Sequence, residues 1–125
     1  MLLKVEFPFN AAHRLPYYQG PCFNTHGHNY VLVVLVRGRV DPRTGIAVDF
    51  TEVKRLVREH VLERIDHNDL NRVLPNPTAE NVVTWMWQEL APALPGLVEL
   101  QLFETPDCGV IYRGKDDETA VTTRS

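Results

Sequence analysis

Cysteine is scarce in this chain: Cys22 and Cys108 are the only two among 125 residues. They form no disulfide framework. Both thiols are expected to stay free, as they do in a reducing cytoplasm. Basic residues do not dominate either. Thirteen Lys and Arg face sixteen Asp and Glu, for a net charge of −3. No Lys/Arg cluster supplies the footprint of phosphate-backbone binding, so no nucleic-acid partner is expected. No apolar run approaches the ~20 residues of a membrane span. The opening run MLLKVEFPFN is broken by Lys4 and Glu6. It lacks the apolar core of a signal peptide, and a cytoplasmic location without membrane attachment is expected. Internal repeats, low-complexity tracts and a glycine-rich dinucleotide motif are also missing.

What is present suits one hydrophobic core. Residues 1–114 are expected to form a single domain, with 115–125 a frayed tail. Residues 2–10 alternate like a strand, and 29–40 form a second strand rich in β-branched side chains. Asp41 to Gly45 is a turn by composition. Asp49 and Glu52 have the spacing of a capping box. Val53, Leu56, Val57, Val61 and Ile65 then recur as one helical apolar stripe. Residues 66–77 read as a polar, Pro-rich loop. A second helix, capped by Thr78, carries Val82, Val83, Met86 and Leu90 and stops before Pro92 and Pro95. Residues 97–104 and 109–113 complete the set as strands. The order β-β-α-α-β-β predicts an α+β domain, a four-stranded antiparallel sheet with two helices on one face.

Three of the five histidines lie within sixteen positions, with Cys22 among them. In an extended segment, His26 and His28 point to one face. An antiparallel neighbour brings His13, at the end of the first strand, beside them. Isolated, a His-x-His pair is as readily a surface feature; the clustering favours a metal. Three neutral imidazoles leave a fourth coordination position open, as catalytic zinc sites do. His60 has no evident polar partner set, and His67 beside Asp66 reads on its own as a cap or turn. Cys22 lies in a polar loop leading into the metal pair, where a cation favours the thiolate. Cys108 reads as incidental. Glu104 either marks a strand's exit into solvent or accepts a ligand's planar two-donor edge.

These residues occur in an ordered series: FNAAHRLP at 9–16, C-x-x-x-HGHNY at 22–30, VDPRTGIAVDF at 40–50, IDHNDLN at 65–71, NPTAEN at 76–81 and ETPDCGVIYRG at 104–114. The series resembles the 6-pyruvoyltetrahydropterin synthase superfamily over nearly the whole chain except the tail. The three residues between Cys22 and His26 are similar to the spacer of its 6-carboxytetrahydropterin synthase branch, in queuosine (7-deazaguanine) biosynthesis.

The resemblance implies a tunnelling fold whose sheet closes into a barrel on assembly, as a homohexamer built from two trimers. It implies Zn²⁺ on His13, His26 and His28, and Cys22 as proton-abstracting residue with Asp66 and His67 as acid/base partners. Glu104, aided by Thr78, Ala79 and Glu80, would hold the pterin. The implied reaction is that of a lyase: dihydroneopterin triphosphate to 6-carboxytetrahydropterin, releasing acetaldehyde and triphosphate. Alternatives are the 6-pyruvoyl reaction on the same substrate, a zinc hydrolase, and a non-catalytic metal-binding module.

Overall fold

A computed structural model describes residues 1–20 and 24–117. The long strand β1 (Leu2–His13) pairs antiparallel with β2 (His26–Arg37), running from Leu2 opposite Arg37 to His13 opposite His26. Strict alternation on β1 buries Val5, Phe7, Phe9, Ala11 and His13 on one face, the period-2 pattern of a half-covered sheet. β2 continues to β4 (Leu97–Thr105), and β4 to β5 (Cys108–Tyr112), both antiparallel.

The sheet has a fifth strand, which corrects the four-stranded expectation. β3 (Asn68–Asp69) pairs parallel with Ala11 and Ala12, giving a mixed sheet of order β3-β1-β2-β4-β5. Two residues carry no hydrophobic period, so the segment reads as loop in sequence. It is held instead by polar ties. Asp66 Oδ1 accepts from the Asn10 amide at 3.0 Å, and Asn71 bonds both the amide and the carbonyl of Arg14 at 2.8 and 2.9 Å.

One face carries the helices. In α1 (Phe50–Val57), Asp49 caps the first turn by accepting from the Thr51 amide at 2.9 Å. Glu52 does not complete the reciprocal cap. It pairs with Arg55, which also meets Glu59 at 3.0 Å. The buried residues Val53, Val57, Val61 and Ile65 are spaced four apart. On a pure α-helix that spacing drifts by about 40° per step. A π turn at Arg58–Leu62, before the short α2 (Glu63–Ile65), absorbs the drift and keeps the stripe on the core.

Thr78 caps α3 (Ala79–Leu90) through the Asn81 amide at 3.1 Å. Val82, Val83, Met86 and Leu90 join the α1 stripe, Tyr30, Leu32, Leu100 and Leu102 in one core. Residues Gly114–Asp117 form a 3₁₀ turn; the rest of the expected frayed tail, 118–125, lies outside the described residues. No helix among the described residues is long and apolar enough to cross a membrane.

Gly96, entering β4, has φ +90°, and its carbonyl accepts from the Arg37 amide at 2.8 Å. A Cβ there would lie 2.5 Å from the Arg37 carbonyl oxygen. Gly96→Ala is expected to cost about 1–3 kcal/mol through backbone strain and this clash. Urea unfolding checks it, and an unchanged midpoint would refute the strain argument.

Candidate metal centre and adjoining pocket

The register of β1 against β2 places His13 directly opposite His26, with His28 across from Ala11. The three rings meet edge to face, with centroids 4.6–5.0 Å apart. One potential ligand atom from each lies within 4.8 Å of the others.

Their hydrogen bonds fix the chemistry. His13 Nδ1 lies 2.9 Å from the Pro77 carbonyl oxygen, and His26 Nδ1 lies 2.8 Å from that of Asn24. A carbonyl only accepts, so in the neutral rings both protons sit on Nδ1. The Nε2 atoms of His13 and His26 then face each other at 3.1 Å with lone pairs on both sides. His28 Nε2 is buried without a hydrogen-bond partner. Converging lone pairs around an orphaned nitrogen are unfavourable by themselves and suited to a cation. The carbonyls behind His13 and His26 orient those rings as outer-shell partners of a metal ligand do. The residues present therefore fit a divalent ion.

His28 has its pKa held below the ordinary histidine range, first by burial and also by His13 and His26, with Glu104 opposing. Glu104 is thus near enough to act on His28. It sits at an irregularity in the β4–β5 pairing, between Phe103 and Thr105. With Thr78, Ala79 and Glu80 from the start of α3, it lines a pocket of about 310 Å³. Leu15, Tyr18, Cys108, Gly109 and Val110 complete the lining. The four substrate residues expected from sequence are therefore brought together, and Cys108, read as incidental, stands beside them.

Asp66 and His67 lie elsewhere. His67 Nδ1 is 3.0 Å from Asp66 Oδ1, so the pair exists, but the His67 side chain is 75% exposed. His67 takes a left-handed backbone, φ 60°, while its amide donates to the Asn10 carbonyl. It borders a different cleft, of about 510 Å³, with Gly27, His28 and Asn68. Within one chain the pair is not part of the Glu104 pocket. Cys22 lies outside the described residues.

Sequence reasoning missed Tyr30, Pro77 and Asn24. Tyr30 had a signal: two residues beyond His28 on a strand, it shares the face of the histidines, and its hydroxyl lies 3.2 Å from His13 Nδ1. Pro77 and Asn24 act through backbone carbonyls, which leave no trace in side-chain patterns.

Comparison with known proteins agrees with this geometry. The family model for 6-pyruvoyl tetrahydropterin synthase matches residues 2–115. The chain belongs to that family. A 6-pyruvoyl tetrahydrobiopterin synthase of Dictyostelium discoideum is 37% identical over 102 residues, spanning 77% of this chain and 76% of its own. A dihydroneopterin monophosphate aldolase of Pyrococcus furiosus is 34% identical over 105 residues, 82% of this chain and 88% of its own. The structure of the Caenorhabditis elegans 6-pyruvoyl tetrahydropterin synthase superposes with a TM-score of 0.82 at 30% identity, covering 91% of this chain and 95% of that one. Within the family, relatives so named stand nearer the 6-pyruvoyl reaction than the 6-carboxy reaction expected from the Cys22 spacer.

The metal-free chain has a predictable pH response. A histidine whose pKa is lowered by folding binds protons more readily when unfolded, so stability rises with pH across its range. Metal-free protein should therefore lose stability as pH falls below about 6.5, and His28→Gln should flatten that dependence; an unchanged slope would refute it. Metal analysis of purified protein should find about one divalent ion per chain. His28→Ala should weaken binding at least about tenfold, measured by competition with a chelator.

Proposed function

We propose that this chain is a metal-assisted lyase acting on dihydroneopterin triphosphate, with 6-pyruvoyltetrahydropterin formation as its reaction. The observation that carries the reading is the joining of two sites at one end of the sheet. A carboxylate pocket, suited to a flat heterocycle with two N–H donors on one edge, adjoins a three-histidine centre. The 6-pyruvoyl product follows the names of the relatives. A second reading, the 6-carboxy product, rests on the three-residue spacer between Cys22 and His26.

Glu104 accepts the two N–H groups of the pterin's guanidine-like edge, a paired contact that fixes the plane of the ring. Thr78, Ala79 and Glu80 border that edge at the α3 N-terminus. This orientation directs the substrate's side chain toward the histidines. His13, His26 and His28 would hold a divalent ion, zinc in this proposal, which would supply Lewis acidity there. Cys22 removes a side-chain proton, and His67, oriented by Asp66, exchanges another.

Because His67 faces outward at the β3–β1 edge, it serves a neighbouring subunit's pocket in this proposal. The sheet offers the means of assembly. Along β1, β3 covers only Ala11 and Ala12, and β5 is the opposite edge. Pairing these edges between subunits closes the barrel of a homohexamer and removes exposed backbone donors and acceptors.

Incubation with dihydroneopterin triphosphate and identification of every product decides the branch. Triphosphate and the pyruvoyl product without acetaldehyde support the first reading. Acetaldehyde with the carboxylated pterin supports the second, and neither product sinks both. Cys22→Ala should cost about 10²–10⁴-fold in turnover with the metal retained. Activity largely intact in that variant would instead indicate a hydrolase using a metal-bound hydroxide.

A further inference from the structure

Glu104 recognises an edge, and an edge contact alone leaves both faces of a flat heterocycle uncovered. Among the described residues lining the Glu104 pocket, Tyr18 is the only aromatic one; the others are aliphatic, small or polar. Tyr18 is 49% exposed, so it borders the opening and is not packed into the core. Its backbone is fixed all the same. The Tyr18 amide donates to the Leu15 carbonyl at 3.2 Å, and Leu15, which is buried, lines the same pocket.

Gly20 leaves room for the ring. A Cβ on Gly20 would lie 2.4 Å from Tyr18 Cε1 and 2.8 Å from Cζ. Those distances are within van der Waals contact, so only a residue without a side chain lets the ring lie where it does. Gly20 has no left-handed backbone conformation, so an alanine there would act through the ring and not through strain.

We infer that Tyr18 is a specificity-determining residue whose ring covers one face of the bound heterocycle, in the space that Gly20 leaves for it. This rests on the pterin reading above. An aromatic ring over a flat π-system stacks offset and excludes water from that face. The contact depends on planarity, whereas the Glu104 contact depends on the donor edge. The two therefore select for different properties of a ligand.

The test is fluorescence titration of the full chain with neopterin, a planar oxidised pterin, and competition by tetrahydrobiopterin, whose reduced ring is puckered. Melting temperature and metal content of each variant are recorded alongside. Tyr18→Leu is expected to weaken neopterin binding about three- to tenfold, the range of an aromatic pair, and to affect tetrahydrobiopterin less. Tyr18→Phe, which keeps the ring, should stay within about twofold of the parent. Gly20→Ala should weaken binding with Tyr18 present and add nothing in the Tyr18→Leu background, since both changes act through one ring. If Glu104→Gln loses neopterin while Tyr18→Leu binds like the parent, the Tyr18 assignment fails and the pterin reading stands. Equal loss of both pterins in Tyr18→Leu also overturns the stacking role. If the parent does not bind neopterin, or Glu104→Gln binds it unchanged, the pterin reading itself fails and this inference with it.

Discussion

The pairing of β1 with β2 is the constraint on which the site depends. Its last pair, His13 with His26, is also the centre of the histidine cluster. Side chains alternate along a strand, so a one-residue slip would turn one strand's set to the other face. The same alternation buries Phe7 and Phe9 against the helices. Core packing therefore holds the register, and the register holds the imidazoles. The stability of an apolar core is converted in this way into the placement of three polar rings at its end.

The polar end of the sheet is expensive to build. Lone pairs on His13 and His26 face each other, and His28 Nε2 is buried without a partner. An unsatisfied buried polar atom costs about 1–3 kcal/mol. A bound cation turns this arrangement from unfavourable to favourable, which couples the local fold to the metal. The Pro77 carbonyl that orients His13 stands immediately before Thr78, which caps α3 and borders the Glu104 pocket. One short segment thus orients His13 and begins the Glu104 pocket, tying both to the same stretch of backbone.

Much of this was legible in sequence because it follows local periods. The alternation of β1, the apolar start of α1 and the Thr78 cap all followed such local rules. The departures have physical reasons. Glu52 looked like a capping partner, but Arg55 on the next turn offered a charge-assisted alternative. The four-residue spacing of Val53, Val57, Val61 and Ile65 fits no straight α-helix, and the π turn that accommodates it depends on the core it faces. β3 is two residues long and owes its pairing to Asp66 and Asn71 reaching across the chain.

By itself the sequence determined the residue types, the clustering of His13, His26 and His28, and the series of motifs that marks the family. These are properties of spacing along one chain. Only the tertiary structure decided that Glu104, Thr78, Ala79 and Glu80 share a pocket with Tyr18, while His67 borders another cleft. Such neighbours are tens of residues apart and meet through the sheet's register and the packing of α3. Backbone groups finished the site, the carbonyls of Pro77 and Asn24 selecting the tautomers of two histidines. Every residue but proline carries the same backbone donor and acceptor, so their use is settled by geometry and leaves no mark in the order of side chains.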